Sequence, residues 1–190
     1  MSLESIKEKV LAKKDITKED AMELVEADLN ELSAAADEIR KQFCGDKFEM
    51  CAVMNVRGGR CSENCRFCSQ STCSTAKVPT FSIRNEKHVK ADALKRSGIG
   101  ISHYCQVASG RKMSKDGIEQ ICKNTKKIVE STDLTPCVSL GLLDKEDLLK
   151  LKASGVKRVH NNLETSRDYF PLVCQSHTYD EKMHVLRRVR

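Results

Sequence analysis

Four short, nearly continuous apolar segments, each followed by a polar stretch with helical spacing, constrain this chain more than any other feature. The apolar segments are "FEMCAVMNV" (48–56), "IGISHYCQVAS" (99–109), "LTPCVSLG" (134–141) and "VKRVHNNLE" (156–164). Between and after them run "NEKHVKADALKRSG", closed by Gly98, "SKDGIEQICKNTKKIVEST", "DKEDLLKLKASG", closed by Gly155, and "TYDEKMHVLRRVR". Strands covered by helices on both faces need such unbroken apolar runs, and strict strand–helix alternation indicates parallel βα units. A complete eightfold βα barrel takes about 250 residues. Four units in 190 residues therefore predict an α/β fold that is a partial (βα)8 barrel of the TIM type, with its C-terminal half outside the chain. An open doubly wound sheet is the alternative. A helical segment over 1–45 is expected to precede the half barrel at 46–190. In it Thr17 and Asp20 form a capping-box signature. Met22, Val25, Leu29, Leu32, Ala36, Ile39 and Phe43 then make one apolar stripe on a long helix ending at Cys44-Gly45.

Composition excludes several classes of function. Basic residues number 33 and acidic residues 27, a net charge of +6 dispersed along the chain, and aromatics are only 4% with no Trp. A nucleic-acid surface built on base stacking needs more aromatics, so no nucleic-acid partner is expected. No apolar run approaches the ~20 residues that span a bilayer, and "MSLESIKEKVLAKKD" is amphipathic and charged rather than a signal peptide. A cytoplasmic location is expected. There, ten cysteines do not form a disulfide framework, and metal or redox chemistry becomes the leading explanation.

Four of those cysteines fall within thirteen residues of "RGGRCSENCRFCSQSTC" (57–73), directly after the first strand. Cys61, Cys65 and Cys68 stand at C-x3-C-x2-C. Three thiolates so spaced can each reach a different iron of a cubane and leave the fourth iron open. Zinc prefers paired C-x2-C units and four closed ligands, and Cys73 could supply a fourth thiolate, so a zinc loop stays open as an alternative. Gly58 and Gly59 fit a backbone that approaches a bulky group closely. Arg57, Arg60 and Arg66 are candidates to offset thiolate charge. Cys105 and Cys137 lie in the second and third strands, and βα architectures gather chemistry at the C-terminal strand ends. Cys44, Cys51 and Cys122 are expected as small buried hydrophobes. His103 and His177 are expected as packing or surface residues rather than ligands.

"CSENCRFCSQS" resembles the C-x3-C-x-(aromatic)-C signature of the radical SAM superfamily. The segments "HYCQVASGR", "LTPCVSLGLL", "GVKRVHNNLETSRDYF" and "HTYDEKM" then resemble the biotin synthase family in order and spacing, from about residue 50 onward. The resemblance implies a [4Fe–4S] cluster on Cys61, Cys65 and Cys68 whose open iron chelates S-adenosylmethionine. It implies contacts to that cofactor from Phe67, Asn162 and Glu164. It implies, further, an auxiliary iron–sulfur cluster, [2Fe–2S] or larger, with Cys105 and Cys137 as two ligands and sulfur donor to dethiobiotin. An electron donor such as flavodoxin or ferredoxin and a homodimer complete the expectation. His160 stands where many members carry asparagine, facing substrate; Cys174 is a candidate substitute ligand of the auxiliary cluster. The expected activity is radical sulfur insertion converting dethiobiotin to biotin, with no turnover by the 190-residue chain alone. A hydrogenase-maturase-like enzyme, a zinc-binding module and an inactive homologue are the rivals.

Overall fold

The structure is a computed structural model and describes residues 2–59 and 61–189. The chain divides into two compact units, residues up to Phe48 and residues from Glu49.

The first unit is three helices, α1 (Leu3–Leu11), α2 (Lys18–Val25) and α3 (Leu29–Cys44). The capping box of α2 forms as expected: Thr17 Oγ1 accepts from the Asp20 N–H and Asp20 Oδ2 accepts from the Thr17 N–H. The single long helix does not form. Asp28 Oδ1 accepts hydrogen bonds from the N–H groups of Asn30 and Glu31 and so caps a new helix. A short carboxylate that can bond its own backbone competes with helix continuation, which is why the chain breaks between Val25 and Leu29. Nor is the expected stripe uniformly inside: Met22, Val25 and Leu29 are exposed, and within the unit Ile6 of α1 is the buried apolar residue. Ion pairs Lys9–Asp20 (2.7 Å) and Lys7–Glu38 (2.8 Å) tie α1 to its two neighbours.

The second unit holds four parallel strands: β1 (Cys51–Arg57), β2 (His103–Ala108), β3 (Thr135–Ser139) and β4 (Arg158–Val159). They alternate with α4 (Glu86–Ser97), α5 (Lys115–Ser131) and α6 (Lys145–Ser154), followed by α7 (Phe170–Val173) and α8 (Tyr179–Val189). Strand order is β1-β2-β3-β4. A doubly wound sheet reverses its order at a switch point; this one advances by one neighbour at each crossover, which is the winding of a half barrel. β4 is shorter than the nine residues expected. It pairs on one side alone among the described residues, and past it the His160 N–H to Val138 carbonyl bond (2.8 Å) continues the contact.

The period of two along each strand sorts the side chains. Ala52, Val56, Tyr104 and Val138 face the helices and pack with Val89, Ala93, Ile118, Ile121, Ile128 and Leu151 in one buried cluster. Among the polar groups buried with them, Tyr104 donates to Asp92 Oδ2 at 2.8 Å and Gln106 Nε2 to Thr125 Oγ1 at 3.0 Å, while Gln106 Oε1 has no partner among the described residues. The opposite face carries the alternating set Cys51, Val53, Cys105 and Cys137, placed by the same register. The cysteine loop leaves the C-terminal end of β1.

Candidate functional site

The loop after β1 is held by its own turns and by one distant segment. Within it the Cys61 N–H donates to the Gln70 carbonyl (2.7 Å), Cys68 N–H to the Cys65 carbonyl (3.1 Å) and Ser71 N–H to the Cys68 carbonyl (3.1 Å). From outside, residues 173–177 clamp it. Asn64 Oδ1 accepts from the N–H groups of Gln175 (2.9 Å) and Ser176 (3.0 Å), and the Asn64 N–H donates to Ser176 Oγ (3.1 Å). The Arg66 N–H donates to the Val173 carbonyl (3.0 Å). Glu63, 6% exposed, accepts from Ser176 Oγ (2.8 Å) and pairs through Oε2 with His177 Nδ1. Arg111 reaches Glu63, Glu181 and the Ser176 carbonyl. Asn and Asp-like side chains bond nearby backbone readily, so "SEN" inside the loop gives the chain its grip on the segment before α8.

All ten cysteines are free thiols. Cys61, Cys65 and Cys68 are partly buried in the loop, and Cys73 is exposed. Cys61 Sγ accepts the Gly110 N–H at 3.1 Å. Cys65 donates to Cys174 Sγ at 3.6 Å. Burial, with the neighbouring Cys174 sulfur second, pushes the Cys65 thiol up to about 12. Cys174 goes the other way: burial opposes its ionisation, but hydrogen bonds from Ser176 and the His177 and Ser176 backbone outweigh it and lower its pKa. Among the described residues the sulfur and nitrogen ligands that converge within 4.8 Å are Cys65, Cys174 and His177. Three thiolates for three different irons stand wider apart than ligands of a single ion. Free, partly buried sulfurs on a short loop therefore suit a cluster, and Phe67 between them is 60% exposed, free to meet a ligand.

On the inner face of the sheet Cys105 and Cys137 are partners in register on adjacent strands, each 1% exposed. Burial pushes Cys105 up to about 12 and raises Cys137. His160, exposed beyond β4, brings Nδ1 to 3.5 Å from Cys105 Sγ. Asn162 and Glu164 follow it and are exposed, while Asn161 turns inward and donates to the Lys182 carbonyl (3.1 Å). Glu164 takes φ +67°, a left-handed conformation unusual for a residue with a side chain.

Several sequence expectations need correction. Gly58 and Gly59 are required by the segment lying over the loop: a Cβ on Gly58 would meet Phe81 at 2.5 Å, and one on Gly59 would meet Thr80 at 2.8 Å. Arg57 bonds the Ser109 carbonyl and Arg66 reaches the Leu172 carbonyl; Arg60 lies outside the described residues. Lys182 is a cation whose field reaches Cys65. Cys44 and Cys51 are exposed and Cys122 is partly exposed, not buried. Cys174 stands beside Cys65 of the loop, apart from the pairing of Cys105 with Cys137. His177 packs edge-on against Phe170 (5.6 Å) as a buried residue and also joins the clamp. Sequence reasoning missed Glu63, Asn64 and Arg111. The available signals were the Cys-x2-His spacing at 174–177 and the capping box of "HTYDE", in which Thr178 and Glu181 exchange bonds and fix where α8 starts.

Known proteins resemble the chain throughout. Biotin synthase 2 of Corynebacterium diphtheriae is 42% identical over 194 residues, covering 100% of this chain and 58% of that protein. Biotin synthase of Brachyspira hyodysenteriae is 42% identical over 98% of this chain and 56% of its own length. The chain thus spans somewhat more than half the length of these curated relatives. Among solved structures, methylornithine synthase (PylB) superposes with a TM-score of 0.80 at 17% identity over 97% of this chain and 55% of that one. HydG, a maturase of the [FeFe]-hydrogenase, gives 0.75 at 20% identity over 97% of this chain and 42% of its own. Both share the fold. The profile of the radical SAM superfamily matches residues 55–190, from the end of β1 through the cysteine loop to α8, and the chain belongs to that superfamily.

Proposed function

We propose that this chain carries the S-adenosylmethionine-handling part of a biotin synthase, which converts dethiobiotin to biotin by sulfur insertion. The observation that carries the reading is the pairing of two buried thiols, Cys105 and Cys137, in register on the inner face of β2 and β3, the same sheet that holds the cysteine loop at the end of β1. The superfamily signature accounts for the loop; the resemblance to biotin synthase assigns the second pair of inward thiols to the auxiliary, sulfur-donating cluster. Identity of about 40% to biotin synthases supports it.

In this reading Cys61, Cys65 and Cys68 hold a [4Fe–4S] cluster, and Cys105 and Cys137 contribute to the auxiliary cluster. When bound, the first supplies the electron that cleaves S-adenosylmethionine, and the second supplies sulfur. The chain's own residues prepare the place. Gly110 offers an amide to Cys61, and the Glu63–Asn64 clamp fixes the loop against residues 173–177. Phe67, Asn162 and Glu164 present an aromatic face, an amide and a carboxylate for S-adenosylmethionine, the carboxylate as acceptor for ribose hydroxyls. His160, beside Cys105, borders the dethiobiotin side. Cys105 and Cys137 are buried neutral thiols, so metal loading must release their protons. Flavodoxin or ferredoxin as electron donor, a homodimer and a cytoplasmic location belong to the same proposal; no helix among the described residues is long and apolar enough to cross a membrane.

The test joins this chain to the matching remainder of a biotin synthase relative and measures biotin formed under reducing, anaerobic conditions. Cys105→Ala and Cys137→Ala should each abolish biotin and the second cluster while cleavage of S-adenosylmethionine persists. Biotin formed by either variant at the parent rate would defeat the assignment.

A further inference from the structure

Cys65, Cys174 and His177 bring two sulfurs and one imidazole nitrogen within 4.8 Å of one another, and all three are partly or fully buried. Cys174 and His177 come from one short segment at Cys-x2-His, and Cys65 comes from the facing loop; two cysteines and one histidine with a fourth position left to water form one of the ligand sets of open zinc sites. The imidazole is also oriented. Its Nδ1 is bonded to Glu63 Oε2, and Glu63 is itself buried and bonded to Ser176 Oγ. Nδ1 also passes 3.3 Å from Cys174 Sγ, but a carboxylate on one ring nitrogen is the arrangement that orients the other nitrogen toward a metal. That leaves Nε2 as the ligand atom, 3.9 Å from Cys174 Sγ. Asn64 Oδ1, 3.5 Å from Cys174 Sγ, already accepts two backbone N–H groups, so a fourth position falls to water.

We infer that Cys65, Cys174 and His177 bind one soft divalent cation, of the zinc or ferrous class, in the chain that lacks its iron–sulfur cluster. Two thiolates and a neutral imidazole give such an ion a neutral complex, with the thiol protons released to solvent as it binds. Cys65 is then shared: the cation and the [4Fe–4S] cluster exclude each other. That exclusion rests on the proposed function, but the cation site does not.

The probe is Co2+, titrated anaerobically into the iron-free, reduced 190-residue chain, with Zn2+ as displacer. One Co2+ should bind per chain, with a thiolate-to-cobalt charge-transfer band and tetrahedral visible bands that Zn2+ abolishes. Cys174→Ser and His177→Ala should lose that binding, Glu63→Gln should weaken it about 10- to 100-fold, and Cys61→Ser and Cys68→Ser should retain it. Circular dichroism of each variant separates misfolding from ligand loss. X-ray absorption of the wild-type Co2+ complex, which needs no variant, should show two sulfurs and at least one imidazole nitrogen. Sulfur ligation alone, unchanged binding in Cys174→Ser, or loss in Cys61→Ser or Cys68→Ser with retained fold would overturn the inference. Iron–sulfur reconstitution is scored separately: Co2+ binding without a cluster would sink the proposed function alone, and a cluster without one-to-one Co2+ binding would sink this site alone.

Discussion

At the level of single residues, burial separates sulfurs that spacing alone treats alike. Cys61, Cys65 and Cys68 are partly buried within the loop's turns, and Cys73 is exposed. Each of Cys61→Ala, Cys65→Ala and Cys68→Ala should erase the iron–sulfur absorption of the reconstituted chain, and Cys73→Ala should leave it; a chromophore equally dependent on Cys73 would indicate a closed four-thiolate site. Glu164 offers a second test because its backbone is unusual. A side chain held at φ +67° costs on the order of 1–3 kcal/mol and persists where the surroundings dictate it. Glu164→Ala keeps that strain and removes the carboxylate, so calorimetric binding of S-adenosylmethionine should weaken by about 1.5–3 kcal/mol. Glu164→Gly relieves the backbone and should bind as poorly while melting no lower than wild type. Unchanged binding in both would place this turn away from the cofactor. The thiol loop and "NLETS" stand out in the sequence because each is a contiguous motif, and their roles remain part of the proposal. Glu63, Asn64 and Arg111 do not stand out, since each acts on a segment at least 65 positions away and the signals for that contact lie in the segment rather than beside these residues.

At the scale of elements, the sequence pattern located β1, β2 and β3 and helices α4, α5, α6 and α8 because their signals are local: apolar runs, N-caps and closing glycines. Asp144 shows how strongly one such signal acts. It caps α6, accepting from the Asp147 N–H at 2.9 Å, and it accepts from Lys112 Nζ at 2.6 Å. The Lys112 hydrogen bond, then the Asp147 amide, lower its carboxyl from about 3.8 to about 2. A folded-state pKa below the unfolded one contributes stability that is present above about pH 4 and lost as pH falls through about 2. Asp144→Ala should therefore cost about 1 kcal/mol in denaturant unfolding at neutral pH, and the gap to wild type should shrink as the pH is lowered towards 2. A constant gap would remove the charge from the explanation. The failures at this scale have a common cause. The break between α2 and α3, set by Asp28, and the shortness of β4, set by the absence of a described partner beyond it, both depend on what competes or pairs rather than on periodicity.

At the scale of the whole molecule, strand order favours the half barrel where strand–helix alternation left an open sheet as the alternative, since order is a property of packing that no single segment encodes. The four-stranded sheet has β1 and β4 at its edges and Val53, 64% exposed, on its inner face. Open edges and apolar faces promote association. The 190-residue chain should sediment as self-associated species and form no biotin from dethiobiotin. Monomeric sedimentation together with biotin formation would refute both expectations. On the proposed function, the loop of Cys61, Cys65 and Cys68 would leave one iron open to S-adenosylmethionine. Electron–nuclear double resonance on the reduced, reconstituted chain with 15N- and 17O-labelled S-adenosylmethionine tests it directly. Hyperfine coupling of the amino nitrogen and the carboxylate oxygen to the cluster is the predicted result; a fully formed cluster that shows neither coupling would contradict it.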